Sequence, residues 1–400
     1  MRRSVLAILL LAVSPAPIWA KAQLPTFITS VSGGSFSPNG KLLLVVYSMS
    51  GGSSFGGSSI SVVDLETGKE LRQLEGVYGP CGPTSFAFLP DNRHILLISS
   101  DRCPPGRGKS DSLRLVDVQN GKDVRVFDRP GTEYETIRAI AASPDGKRAL
   151  AGYANGKVRL WDVETGKLLK TLESDQVSPV CAVAISPDNK QALSGGNVSL
   201  VGSALTHWDL AEDKALRTYG NDDSVMTPTR WGSVLAFTKS GKYAITDRYL
   251  CSVKDNKLTE VHLALWETGT GKVIRVFECQ PSAAVFRSDD KQLVATHRDP
   301  DGSLSIKTWN VENGKETGER QIYSKPRAPD FSDLTHAALS PDGTLLMTAA
   351  GSKISGSRQW DSLTIKVWDA MTGKEILTLR EPEKSAASEH EKRLLPALPK

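Results

Sequence analysis

Along residues 138–172, RAIAASPDGKRALAGYANGKVRLWDVETGKLLKTL, four short apolar runs alternate with clusters of Pro, Gly, Asp and Asn. Runs this short, bounded by such clusters, predict four strands joined by tight turns, not a helix. In Ser143-Pro144-Asp145-Gly146 the Pro fixes φ at about −65° and the Gly tolerates a positive φ. The last turn, Thr165-Gly166-Lys167, follows the pair Trp161-Asp162.

Both turns recur. The first returns as Ser37-Pro38-Asn39-Gly40, Leu89-Pro90-Asp91-Asn92, Ser186-Pro187-Asp188-Asn189 and Ser340-Pro341-Asp342-Gly343. Weaker copies are Thr238-Lys239-Ser240-Gly241 and Arg287-Ser288-Asp289-Asp290. The second returns as Thr67-Gly68-Lys69, Asn120-Gly121-Lys122, Thr270-Gly271-Lys272, Asn313-Gly314-Lys315, Thr372-Gly373-Lys374 and, without its Gly, Glu212-Asp213-Lys214. Before these turns stand Val63-Asp64, Val116-Asp117, Trp208-Asp209, Trp266-Glu267, Trp309-Asn310 and Trp368-Asp369, spaced 43 to 59 residues apart.

One four-stranded sheet cannot bury both of its faces, whereas a radial stack of them can. Seven repeats therefore predict an all-β fold, a seven-bladed β-propeller of four-stranded antiparallel blades. All seven units supply their own four strands, the last ending with residues 375–380, so ring closure by shared strands is not evident. Residues 23–30 are a candidate to pair beside the last blade.

The LWDVETGK and VWDAMTGK stretches, with the SPDG turns, resemble the WD-repeat β-propeller family over about residues 31–380. The Gly-His pair usual in that family is missing, so its His-Asp network does not carry over. SISVVDLETGKELRQL is also similar to repeats of secreted surface-layer and lactonase-type propellers, and the SPDG turns to periplasmic TolB-type propellers.

The N-terminus is organised differently. Arg2 and Arg3 precede an apolar run at 5–13, too short to span a bilayer, and Ala20-Lys21-Ala22 offers a small-x-small cleavage pattern. The expected organisation is a secretory signal at 1–22, a propeller at 23–380 and a charged, flexible tail at 381–400. Export places the mature chain in the periplasm or outside the cell. Of 400 residues, 49 are basic and 45 acidic, and three of the basic ones lie before residue 23. That balance gives no electrostatic case for nucleic acid or an anionic membrane. No later stretch is apolar enough to span a bilayer, so no membrane insertion is expected. A monomeric ring is expected.

In a four-stranded meander the first and third turns share one end. Here they are the short SPDG and TGK elements, and all length variation falls at the other end. That end holds 48–59 (SMSGGSSFGGSS), 99–111, 247–260 (DRYLCSVKDNKLTE), 350–362 (AGSKISGSRQWDS) and the connections 220–233 and 321–335. Loops on a rigid scaffold carry binding residues, so the variable end is the candidate recognition face. Five Trp, at 161, 208, 266, 309 and 368, keep repeat register and are expected in the core. Trp231 and Trp360 fall outside it, beside Arg230 and Arg358, and Trp and Arg are enriched at binding hot spots. Tyr249, beside Arg248, is a weaker candidate.

Five Cys in an exported chain invite pairing. Cys81 and Cys103 share the variable end of the second blade, Cys251 and Cys279 flank the fifth, and Cys181 is expected to be a buried thiol. No CxxC or HExxH spacing is present, and no cofactor or metal is expected. Asp299-Pro300-Asp301-Gly302 reads as a plain β-turn. Gly52-Ser53-Ser54-Phe55-Gly56 has the GxSxG form without the strand-to-helix turn a nucleophile needs. The leading function is a non-catalytic exported scaffold for a protein or peptide partner. The alternatives are a secreted propeller enzyme of lactonase or hydrolase type and a carbohydrate- or envelope-binding module.

Overall fold

In the computed structural model the described residues are 28–49, 58–77, 86–100, 111–127, 135–173, 179–196, 205–219, 235–252, 257–299, 302–323, 333–353 and 360–380. The signal and tail expected at the two ends lie outside them. The described residues form 28 strands in seven antiparallel sheets, each built from four consecutive strands. Blades 1 to 7 occupy 28–77, 86–126, 137–172, 180–219, 235–277, 284–323 and 333–380. The first strands of blades 2 and 3, 3 and 4, 4 and 5, and 7 and 1 touch, and apolar residues of adjacent blades pack together at all seven seams, so the sheets close a ring. The chain is a seven-bladed propeller, and among the described residues its blades share no strands. Ile28–Ser30, proposed above to pair beside the last blade, instead begins blade 1 opposite Met49 and Ser48.

There is no single core. Seven apolar clusters lie one at each seam between adjacent blades, including the seam between blades 7 and 1. All five register Trp are buried, and Val63 and Val116 fill the same position in blades 1 and 2. The indole N–H of Trp208 donates to Ser194 at 2.8 Å, that of Trp266 to Thr246 at 2.8 Å and that of Trp368 to Thr348 at 2.9 Å. Each acceptor sits on the second strand, two residues beyond the Trp's cross-strand partner. In blade 3 Ala151 occupies this place, and the buried Trp161 Nε1 has no partner.

In every blade the register slips between third and fourth strands at the aromatic or aliphatic of the recurring pair. One extra residue bulges from the outer strand. In blades 1 to 5 it is Leu71, Val124, Leu169, Leu216 and Ile274, and all five are exposed.

Candidate binding face

The uniform end is built by turn chemistry. Each SPDG turn closes by an N–H to C=O bond such as Gly146 to Ser143 at 2.9 Å. Its fourth residue has positive φ: Gly in blades 1, 3, 5 and 7, but Asn92, Asn189 and Asp290 in blades 2, 4 and 6. These side chains accept from the preceding blade's turn. Asn92 accepts the Asn39 N–H at 2.7 Å, Asn189 the Asp145 N–H at 3.3 Å, and Asp290 the Lys239 and Ser240 N–H groups at 2.6 and 2.7 Å.

The acid of the recurring pair caps the TGK turn. Asp162 accepts the Thr165 N–H and hydroxyl, both at 2.7 Å, and Asn310 accepts the Asn313 N–H at 3.0 Å in blade 6. The Thr165 hydroxyl and N–H hold the Asp162 carboxyl below its ordinary range. In blade 2 Leu89 stands where four blades have Ser, and the Asp91 carboxylate turns to the His94 ring. Beside it an open groove of about 400 Å³ between blades 2 and 3 is lined by Leu89, His94, Leu115, Arg125, Lys147 and Asp162 among others.

At the other end the described backbone is most complete in blade 3. Glu135, on the connection into this blade, grips the buried Arg159 guanidinium with both carboxylate oxygens and also accepts from Asn155 at 3.0 Å. Arg159 lies 4.6 Å from the Tyr153 ring centroid, and burial pushes the Tyr153 phenol up to about 12. Asp111 accepts the Ile137 N–H at 3.0 Å. This buried network fixes the end of the connection where it enters blade 3.

Elsewhere this end is more strand than the sequence suggested. Stretch 247–260 is mostly a long hairpin of Tyr243–Ser252 and Lys257–Glu267, and 350–362 is spanned largely by Leu345–Lys353 and Trp360–Asp369. Tyr249 thus lies in a strand opposite Val261, and Trp360 in one opposite Lys353. Arg230, Trp231 and Arg358 lie outside the described residues, as do Cys81 and Cys103. Asp299 to Gly302 closes as the expected tight turn, N–H to C=O at 2.9 Å.

Two cysteine readings change. Cys279 is buried with a free thiol, its Sγ 3.8 Å from the Phe277 carbonyl oxygen, so the Cys251–Cys279 bridge is not made. The physical reason is placement: Cys279 turns into the core between blades 5 and 6, whereas Cys251 belongs to the outlying hairpin. Burial pushes the Cys279 thiol up to about 12. Cys181 is half-buried, not buried, and points its Sγ at the Pro179 carbonyl oxygen, 3.6 Å away. Among the described residues no three His, Cys, Asp or Glu gather in a group that could hold a metal ion.

A family model described as the Vps8 beta-propeller matches residues 119–186, which contain blade 3. The chain is 24% identical over 263 residues to the WD repeat-containing protein slp1 of Schizosaccharomyces pombe, covering 59% of this chain and 52% of slp1. It is 31% identical over 99 residues to a guanine nucleotide-binding protein subunit beta of Oryza sativa, covering 24% of this chain and 23% of the subunit. The chain thus spans about half or less of these relatives. Among solved structures, Kuenenia stuttgartiensis hydrazine synthase superposes with a TM-score of 0.58 at 16% identity, covering 86% of this chain and 97% of that one, which shows the fold alone. With recurring Trp-acid pairs, capped turns and seven four-stranded blades, the chain is a seven-bladed β-propeller whose repeats are similar to those of WD-repeat proteins.

Proposed function

We propose that this protein is an exported, non-catalytic scaffold that holds a protein or peptide partner at the variable end of its propeller. The observation that carries the reading is the contrast between ends. One end repeats the same two capped turns around the ring, while every change of loop length falls at the other. Rigid seams behind variable loops suit recognition, since a preorganised surface loses little on binding. The WD-repeat relatives support a role in protein interaction. The charged, apolar and small-residue succession at 1–22 supports export. Arg230, Trp231, Arg358 and Trp360 are the gripping residues, with Tyr249 as a further contact.

The test is a pull-down from envelope and secreted fractions of the source organism, with the chain from Gln23 onward as bait. The control bait carries Arg230→Ala, Trp231→Ala, Arg358→Ala and Trp360→Ala and must keep the wild-type melting temperature. A partner retained by wild type and lost by the control is the expected result. Equal retention moves the site elsewhere. No partner at all overturns the scaffold reading and sends the search to ester and lactone substrates.

A further inference from the structure

Six of the seven seams share a device that the seventh lacks. Near the middle of the outer strand in blades 1 to 6 a long cation crosses to the next blade's TGK turn. Arg72 donates to the Gln119 carbonyl at 3.2 Å, Arg125 to Thr165 at 3.3 Å and Arg217 to Gly269 at 3.0 Å. Lys170 donates to Leu210 and Ala211 at 2.6 and 2.9 Å, and Arg275 to Val311 at 3.3 Å. In blade 6 the cation is Arg320, two residues further along, whose stem packs over Gly373 of blade 7. In blade 7 both places are apolar: Leu377 aligns with Arg72, Leu379 with Arg320, and both are buried. The Asn or Asp turn clasp is missing here too, since blade 1 has Gly40.

The seam between blades 7 and 1 relies on apolar contact instead. Leu377, Leu379 and Met347 pack against Val31, Leu43 and Val63, and the Met347 methyl fills the space where a side chain on Gly34 would begin. At the other six seams a covalent connection joins the two blades. At this one it does not, so only here can the ring part without stretching a connection.

We propose that the ring is closed by this apolar latch and that it opens first, and separately, at the seam between blades 7 and 1. Hydrogen exchange of the full chain, read by mass spectrometry, tests it. Amides of Ile28–Phe36 and Leu345–Lys353 should exchange at least about tenfold faster than those of Ile137–Ala142 and Arg148–Tyr153, a gap set by the free energy of local opening.

Gly40→Asn supplies the missing clasp. Asn already adopts this backbone at 92 and 189, and a Cβ on Gly40 would meet only Leu345, at 3.9 Å. Its side chain would accept from the Asp342 N–H as Asn189 does from Asp145. One such bond is worth roughly threefold to tenfold slower opening. Exchange should slow by that factor in both blade 1 and blade 7, which simple fraying of chain ends would not show. Gly241→Asn, the same change in blade 5, should leave blades 1 and 7 unchanged. Uniform protection around the ring, or slowing confined to blade 1, overturns the proposal.

Discussion

Replacing Ser194 by Ala isolates what the second-strand hydroxyl does for the repeat. Trp208 is 1% exposed and Ser194 4%, so water cannot replace the lost acceptor of the indole N–H. The change removes one atom and leaves almost no cavity, so the cost is that of an unsatisfied buried donor, about 1–3 kcal/mol. In a domain of this size that lowers the melting temperature by roughly 2–6 °C. Circular dichroism during heating and urea titration measures it. A double-mutant cycle with Trp208→Phe decides the cause, because without an indole N–H the penalty of Ser194→Ala should vanish. Blade 3 supplies the converse: Ala151→Ser offers Trp161 the acceptor it lacks and should stabilise by about 0.5–1.5 kcal/mol if the seam admits the oxygen. A Ser194→Ala protein as stable as wild type, or an equal loss in the Trp208→Phe background, would refute the acceptor role.

Asp162→Ala should destabilise by about 1 kcal/mol through loss of the turn cap, whereas Asp162→Asn should cost less than half of that because Asn310 already caps blade 6; urea midpoints compare them. Burial holds the His336 imidazole down to about 4 against 6.5 when free, so the unfolded chain binds the extra proton between those values. Stability should be full above about pH 6.5 and fall as pH drops towards 4, and His336→Phe should flatten that slope in melting curves.

The repeat was legible because its residues serve the backbone directly. A residue tolerant of positive φ at the end of the turn, at a fixed distance before the next strand, suffices to mark a copy, so even Arg287-Ser288-Asp289-Asp290, which has no Pro, was recognisable. Register likewise identified the five core Trp. The hairpin extensions were not legible, because 247–260 and 350–362 mix Lys, Ser, Asp and Arg with apolar residues in no regular alternation. Strand pairing beyond the seam needs no apolar face to hold it. The path of Cys279 was also hidden: nothing local shows that a connection turns inward to fill a seam. Of the proposed partner-binding residues, Tyr249 and Trp360 take their strand placement from pairing, which their local sequence did not show.

The bulge in each outer strand bears on how the protein tolerates its own concentration. Among the described residues each blade's fourth strand pairs on one side only, and a flat edge is a ready template on which a second chain can build. Here the extra residue, itself an exposed Leu, Val or Ile in blades 1 to 5, kinks each edge. A straight incoming strand cannot stay in register across that kink. Five of the eight exposed large apolar side chains among the described residues therefore sit where an added strand would find pairing hardest.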